Sequence, residues 1–442
     1  MRQGTGTLMV VLLGSLIALQ RPAVRVLDEQ TLREYAGVYR WGPDSFVYLQ
    51  TWTEIIPSIQ LVAFDDSGEV RALLPTDRDR FSAGPGLGIQ TPIESRVEFT
   101  RDGAGKVVSL AWLREGGHGR TARRVEFEKH EDVHFPNGDL RLAGTLIAPV
   151  TAGERHPAVV LVHGSGPADR RQILPYARRL VRHGMAVLTY DKRGVGGSTG
   201  DWQTASFEDL AGDVAAAVEY LTTRKDIDGR QIGLLGVSQA GWVMPLAAVR
   251  AKDIAFLISV SGAGIPVAET TIDQAQNEMT AGGMKPETVA GIIDVMKLQY
   301  HYARTGTGWD EYASARANLA ARLGRPPDSL PGTPDDPAWR YLRLVYFYDP
   351  APTLRQLRTP TLALFGELDN NIVAVKNEAA WKAALDGSGH PDYTLRILPK
   401  ANHMVLQAHV GSNAEMASLQ RFVPEYFTIV HEWLSKRVRG YR

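Results

Sequence analysis

The apolar and polar positions follow two different patterns along the chain. From about residue 24 to residue 120, short runs alternate apolar with polar side chains and are separated by turn residues such as Gly42-Pro43-Asp44 and Asp102-Gly103. Alternation with a period of two, broken by Asp-Gly turns, is typical of antiparallel hairpins. We therefore predict a small antiparallel β domain or partial barrel over residues 24–121.

From about residue 122, apolar strands alternate with helical segments. The first prediction in this region is a hairpin of Arg123 to Phe135 with Leu140 to Pro149. Phe207 to Leu221 carries apolar side chains at helical spacing, and Ser206 with Asp209 forms a capping-box start. Continuous apolar runs indicate strands buried on both faces, as in a parallel sheet; they occupy residues 157–162, 185–190, 231–236, 254–260, 361–365 and 393–398.

These repeated strand–helix units predict a doubly wound, mostly parallel α/β sheet over residues 122–442. One interval, from about residue 265 to residue 355, has helical composition and no clear strand. An insertion of this kind after a strand lies above the sheet, so we predict a helical cap.

Composition excludes several classes of function. The 442 residues carry 49 Lys+Arg against 49 Asp+Glu, and this zero net charge gives no global field for nucleic acid, so no nucleic-acid partner is expected. Hydrophobic residues at 44% are ordinary for a globular protein, which argues against disorder. Cysteine is absent, which excludes disulfides, thiolate nucleophiles and cysteine-ligated metals.

The N-terminus has the pattern of a secretory signal. Arg2 precedes the apolar run Leu8 to Leu19, which is 12 residues long and shorter than the roughly 20 that a spanning helix needs. We predict a signal peptide over residues 1–23, export to the periplasm or the medium, and no stable membrane span after its removal. The alternatives are an N-terminal anchor or a buried first strand.

A serine lies where an apolar strand runs directly into a helix. Ser238 follows Gly236-Val237 and precedes Gln239-Ala240, so small residues flank it on both sides. A sharp strand-to-helix turn needs small neighbours and exposes the serine oxygen beside the free N–H groups of the helix start. Ser238 is therefore a candidate nucleophile. The alternative is an ordinary serine N-cap.

A second turn offers backbone donors for a negatively charged oxygen. The strand 159–162 ends in His163-Gly164-Ser165-Gly166, where small residues allow a ligand to approach the backbone. The N–H groups of Gly164 or Ser165, together with that of Gln239, are candidates for binding the oxyanion of a tetrahedral intermediate. The alternative is a tight glycine-rich turn, and we expect His163 itself to be structural.

Carboxylates and a histidine follow the later strands. Asp369 or Glu367, after the strand 361–365, is the candidate for orienting an imidazole, and Asp191 is a third, weaker candidate. His403 follows the last strand and is the candidate base. The chain order Ser238, Asp369, His403 supports nucleophilic catalysis, for which no metal or cofactor is expected.

These motifs resemble the α/β-hydrolase family over about residues 125–442, and in particular bacterial serine hydrolases of the carboxylesterase type, related to dienelactone hydrolases. The matching parts are the His163-Gly164 turn, the run from Asp191 to Ser198, the Ser238 turn, Asp349-Pro350, Gly366-x-x-Asp369 and Asn402-His403. The resemblance implies Ser238 as nucleophile, His403 as base and Asp369 as acid. Ala240 departs from the usual glycine of the turn.

The expected substrate is a small-molecule acyl ester. The alternatives are a peptidase or amidase with the same triad, or a non-catalytic binding protein on a hydrolase scaffold. Lys192 and Arg193 are interpreted as a solvated turn rather than an anion site. The candidates for lining an acyl pocket, which are otherwise core residues, are Trp242, Tyr300, Tyr302, Trp309 and Met404.

Overall fold

The computed structural model describes residues 25–52, 59–151, 155–172, 174–251, 253–324 and 330–442. The predicted signal peptide, residues 1–23, lies outside the described residues. None of the helices among the described residues has the length and apolar character to cross a membrane.

The N-terminal part is a closed antiparallel barrel. Helix α1 (Glu29–Tyr35) precedes it and begins at Asp28, whose side chain accepts a hydrogen bond from Thr31 N–H. The barrel strands are β1 Gly37–Gly42, β2 Ser45–Trp52, β3 Gln60–Asp65, β4 Val70–Asp77, β5 Arg80–Ala83, β6 Ser95–Arg101, β7 Val107–Arg114 and β8 Arg120–Val125. Alternate side chains of these strands point inward and form a separate core. The predicted antiparallel β domain is confirmed, and its last strand extends past the predicted boundary at residue 121.

The second part is an eight-stranded sheet with the spatial order β16-β15-β14-β13-β11-β12-β10-β9. The strands β11 to β16 run parallel, and β9 and β10 are antiparallel to their neighbours. Their bounds are β9 Glu128–Asn137, β10 Leu140–Pro149, β11 His156–Val162, β12 Ala186–Tyr190, β13 Ile227–Val237, β14 Ile254–Val260, β15 Thr361–Gly366 and β16 Tyr393–Leu398. The predicted hairpin is present as β9 and β10, but its first strand begins at Glu128 and not at Arg123, because Arg123 pairs with β1 and closes the barrel.

Helices cover both faces of this sheet. They are α2 Leu174–Arg182, α3 Phe207–Thr222, α4 Ala240–Arg250, α10 Ala374–Gly387 and α11 Pro424–Ser435, with short 3-10 turns at Trp202–Thr204 and Asn413–Ser418. The predicted capping box is present: Ser206 Oγ accepts from Asp209 N–H at 3.1 Å, and the Asp209 carboxylate accepts from Ser206 N–H at 2.9 Å. This reciprocal pair fixes the start of α3.

The interval between β14 and β15 is a helical cap. Its helices are α5 Val267–Ala281, α6 Pro286–Thr305, α7 Trp309–Leu323 and α8 Ala338–Val345, followed by the short α9 Ala351–Leu354. The cap has its own aromatic core, in which the rings of Tyr302 and Trp339 lie 4.8 Å apart. It therefore covers the carboxyl edge of the sheet as a small folded unit.

The barrel and the sheet share one hydrophobic core. Outward-facing barrel residues such as Val62 and Phe64 pack in the same cluster as Leu406 and Phe422 of the C-terminal part. The barrel backbone also bonds to the segment 417–422, because Val70 N–H donates to the carbonyl of Gln420 at 2.7 Å. The barrel is thus attached to the C-terminal segment by both packing and backbone hydrogen bonds.

That C-terminal segment pairs in turn with residues just after the last strand. Gln407 N–H donates to Arg421 O at 2.8 Å, and Val423 N–H donates to Val405 O at 3.0 Å. We call residues 399–407 the histidine loop, since His403 lies at its centre. The segment 417–422 is therefore held between the barrel and the histidine loop.

Candidate active site

Ser238 lies at a sharp turn between β13 and α4. Its φ of +61° is in the left-handed region, which is uncommon for a residue with a side chain. The conformation is held by hydrogen bonds on both sides, from Ser238 N–H to Val260 O at 3.0 Å and from Gly241 N–H to Ser238 O at 2.8 Å. A strained residue fixed in this way is typical of a functional turn.

Small residues are required around this turn because backbone segments approach each other closely. A Cβ atom on Gly236 would lie 2.8 Å from Val162 O, and one on Gly241 would lie 2.6 Å from the backbone of Gly262. Ala240 is fully buried in the same place, so its methyl group is accommodated where the related motif has glycine. The departure from the glycine pattern therefore leaves the turn intact.

His403 and Asp369 form a buried pair. His403 Nδ1 lies 2.9 Å from Asp369 Oδ2, and the other carboxylate oxygen accepts from the backbone N–H groups of Asn371 and Ile372, each at 2.8 Å. The Asp369 side chain is 0% exposed and that of His403 is 11% exposed. Because a carboxylate only accepts, Nδ1 carries the proton and Nε2 is left with its lone pair as an acceptor.

The other two carboxylates considered from the sequence have different partners. Glu367 accepts a hydrogen bond from Lys400 N–H at 2.8 Å and is exposed. Asp191 pairs with the Arg170 guanidinium at 2.8 Å. The carboxylate next to the imidazole is therefore that of Asp369.

Ser238 and His403 line one cavity of about 490 Å³ beneath the cap. The predicted residues Gly164, Ser165, Gln239, Trp242 and Met404 line it too. Sequence reasoning missed the residues that the cap and neighbouring loops contribute, among them Thr270, Thr271, Gln274, Tyr341, Val345, Tyr346, Asn371 and Asn413. The only sequence signal for these residues is their position in the cap insertion or in a loop that follows a strand.

The cavity wall is polar in part. Among the described residues that line it, none is Asp, Glu, Lys or Arg. Amide and hydroxyl groups therefore face apolar side chains across the cavity. A neutral ligand with both polar and apolar parts matches such a wall.

Three of the predicted pocket residues belong to the interior of the cap instead. Tyr300 and Tyr302 are buried in the cap core, and the Trp309 ring lies 5.3 Å from that of Tyr302. These three side chains pack in the core of the cap, which was the alternative to lining the pocket. The physical reason is that a four-helix cap needs its own apolar interior and uses its largest aromatic side chains there.

The interpretation of Lys192 and Arg193 as a solvated turn is wrong, because their exposed fractions are 4% and 9%. His163 is also buried, and its Nε2–H donates to Tyr190 O at 2.6 Å. Burial lowers the pKa of His163 to about 3, so its imidazole is neutral. This matches the structural role predicted for His163.

Comparison with known proteins identifies the family. A profile of the alpha/beta hydrolase family matches residues 159–415, which is more than half of the chain. The chain belongs to the alpha/beta hydrolase family. This alpha/beta hydrolase is 25% identical to Esterase EstD of Thermotoga maritima over 327 residues, covering 70% of the chain and 68% of that protein.

Other similarities are shorter or more distant. The quorum-quenching protein AidA of Acinetobacter baumannii is 30% identical over 129 residues, which are 29% of this chain and 42% of that protein. The esterase Pf2001 of Pyrococcus furiosus is similar in structure, with 17% identity, a TM-score of 0.43, and coverage of 70% of this chain and 91% of that one. The fold and the family predicted from the sequence are confirmed, and the family supports an enzyme of the hydrolase class.

Proposed function

We propose that this alpha/beta hydrolase is a serine esterase that cleaves neutral carboxylic esters through an acyl-enzyme on Ser238. The observation that carries the proposal is the buried Asp369–His403 pair in the same cavity as a serine with a positive φ. The similarity to Esterase EstD supports an ester as the substrate class.

In the acylation step, His403 Nε2 accepts the proton of the Ser238 hydroxyl while the serine oxygen forms a bond to the ester carbonyl carbon. The carbonyl oxygen becomes an oxyanion and accepts hydrogen bonds from the N–H of Gln239 and that of Gly164 or Ser165. The intermediate collapses with cleavage of the bond to the alcohol oxygen. The imidazolium gives its proton to that oxygen, and the alcohol leaves.

Deacylation repeats the same steps with water. His403 accepts a proton from water, whose oxygen attacks the acyl carbon, and the bond to the Ser238 oxygen then breaks as the imidazolium returns the proton to it. The products are the carboxylic acid and the free enzyme. Asp369 keeps the Nδ1–H tautomer and stabilises the imidazolium in both steps.

The test is hydrolysis of a p-nitrophenyl ester series from acetate to palmitate by the wild type and by Ser238→Ala. We expect turnover by the wild type and loss of at least about 1,000-fold in kcat for the variant, since the nucleophile is gone. Ser435→Ala, on the exposed surface of α11, is the matched serine control and should keep wild-type turnover.

Other outcomes would favour the alternatives. If wild-type enzyme hydrolyses none of the esters but a fluorophosphonate probe labels Ser238, the triad is functional and a peptidase or amidase becomes the better assignment. If neither ester nor probe reacts at Ser238, the binding-protein alternative replaces the esterase. Retention of full turnover by Ser238→Ala would contradict the proposed nucleophile.

We also propose that the enzyme acts outside the cytoplasm. The support is the basic start at Arg2 and the apolar run Leu8 to Leu19, which have the pattern of a secretory signal. Cell fractionation of the expressed chain, with N-terminal sequencing of the mature form, is the test. Recovery of uncleaved protein in the cytoplasmic fraction would contradict export.

A further inference from the structure

A buried cation lies directly behind the proposed oxyanion site. The turn that follows β12 carries three charged residues in a row, and the outer two are neutralised by ion pairs. Asp191 pairs with Arg170 at 2.8 Å, and Arg193 pairs with Asp213 at 2.7 Å. Lys192, between them, is 4% exposed, and no ion pair joins it to a carboxylate in the described part of the chain.

The three N–H groups of the Lys192 ammonium have three neutral acceptors. Its Nζ donates to Gly164 O at 2.6 Å, to Gly166 O at 2.8 Å and to the Gln239 side-chain oxygen at 3.3 Å. Two of these acceptors belong to the turn after β11, and the third belongs to the residue that follows Ser238. One side chain therefore ties together both backbone segments proposed to bind the oxyanion.

These contacts determine where backbone donors point. In a planar trans peptide the C=O and the following N–H point in opposite directions. A Gly164 carbonyl directed at Lys192 therefore directs the N–H of Ser165 away from Lys192. Among the described residues, the N–H groups of Gly164, Ser165 and Gln239 have no protein acceptor, and all three residues line the cavity with Ser238.

We propose that Lys192 is a positioning residue of the esterase reaction, which holds Ser165 and Gln239 so that their N–H groups bind the oxyanion and adds its own positive charge behind them. The inference rests on the proposed function. It favours Ser165 over Gly164 as the second backbone donor, because the Gly164 carbonyl that binds Lys192 belongs to the same peptide group as the Ser165 N–H. A fixed cation in a water-poor site stabilises developing negative charge more strongly than one in water.

The charge of Lys192 is also sensitive to pH. Burial lowers the pKa of Lys192 to about 7, so its ammonium loses a proton as the pH rises through about 7. The neutral amine has one N–H fewer and no charge. The other titratable or charged groups around it are neutral His163, Asp191 and Arg193 in their ion pairs, Asp169 paired with Arg171, and His403 across the cavity.

The experiment compares the wild type with Lys192→Met on the best p-nitrophenyl ester. We expect kcat to fall about 100-fold with KM changed little, because the oxyanion forms only after substrate binds. We also expect the wild-type profile of kcat/KM to fall on its alkaline side and the variant's profile to lack that fall. Lys225→Met, at an exposed lysine, is the matched control and should behave as the wild type.

The outcomes separate this inference from the proposed function. Wild-type hydrolysis that depends on Ser238, combined with wild-type kcat in Lys192→Met, overturns the role of Lys192 alone. A variant profile that is lower but keeps the alkaline fall also overturns it, since a general loss of structure lowers the profile without changing its shape. If no Ser238-dependent hydrolysis exists, both proposals fail.

A second variant covers the case in which methionine does not fold. Thermal melting identifies that case, and Lys192→Gln, which keeps hydrogen-bond donors without the charge, is then measured in its place. A smaller drop in kcat is expected, because hydrogen-bond donors remain, together with the same loss of the alkaline fall. Full activity of Lys192→Gln at every pH would overturn the proposal.

Discussion

At the residue scale, the Asp369 carboxylate is held by more donors than a solvated acid would have. One oxygen faces the imidazole and the other accepts two backbone N–H groups. Because these two N–H groups belong to the backbone, they hold the carboxylate in one orientation independently of His403. The acid therefore determines both the tautomer and the direction of the imidazole.

We expect Asp369→Asn to lower kcat by about 10,000-fold with little change in KM, because the amide does not enforce the Nδ1–H tautomer. Steady-state kinetics on the best p-nitrophenyl ester measure both constants. Glu367→Gln is the matched control, since that carboxylate is exposed and contacts Lys400 N–H rather than an imidazole. Equal losses in the two variants would contradict the assignment of the acid.

The sequence was sufficient to predict Ser238, Asp369 and His403 as neighbours, because each follows a buried strand and parallel strands end at one edge of the sheet. It was not sufficient for Lys192. A lysine between an aspartate and an arginine in a turn has the pattern of a solvated surface. Lys192 is buried because its charged neighbours pair with Arg170 and Asp213, which lie elsewhere in the chain. The sequence around Lys192 does not show these pairs.

At the element scale, the start of α4 packs directly on the turn that follows β14. The backbones of Gly241 and Gly262 approach so closely that a Cβ atom added to Gly241 would lie 2.6 Å from the backbone of Gly262. This contact fixes how closely the start of α4 packs against the turn after β14, and Ser238 lies two residues before that start. Helix α4 can therefore pack this closely against the turn after β14 only because Gly241 has no side chain.

We expect Gly241→Ala to lower the melting temperature and kcat together, because its Cβ would lie 2.6 Å from the Gly262 backbone and α4 must shift. Gly387→Ala is the matched helical control: no atom lies within 4 Å of its Cβ position, and alanine favours a helix by about 1 kcal/mol. Thermal melting and ester kinetics on both variants test this. A stable, fully active Gly241→Ala would contradict it.

The helices of the cap were predicted from the sequence, but the positions of their aromatic side chains were not. Its existence followed from a long helical interval between strands, but its aromatic residues divide between its own core and the cavity. Tyr346 lines the cavity, whereas Tyr302 and Trp309 pack inside the cap. Helical spacing alone does not separate these two faces, because both are apolar.

At the scale of the whole molecule, the barrel supports the histidine loop through one intermediate segment. Leu87 N–H donates to Leu419 O at 3.2 Å, and Gly88 N–H donates to Ala417 O at 2.7 Å. The segment 417–422 then pairs with the histidine loop on its other side. The barrel thus contributes to the position of His403, although none of its described residues lines the cavity. The hairpin pattern predicted the barrel strands, but not this contact, which joins residues more than 300 positions apart.

We expect Gly86→Ala to lower kcat, by up to about 100-fold if the imidazole is displaced by 1 Å, because its Cβ would lie 2.7 Å from Ala417 O. Gly103→Ala is the control in the same barrel, since nothing lies within 4 Å of its Cβ position. Ester kinetics and thermal melting distinguish the two variants. Unchanged kcat in Gly86→Ala would contradict a supporting role for the barrel.

The same contact joins an early part of the chain to a much later part. All barrel pairings lie between residues 37 and 125, so that unit is complete early as the chain leaves the ribosome. The segment 417–422, which pairs with the histidine loop, is synthesised long after the barrel and can pack onto it only then. We therefore expect the histidine loop to reach its final position only after the segment 417–422 has packed against the barrel.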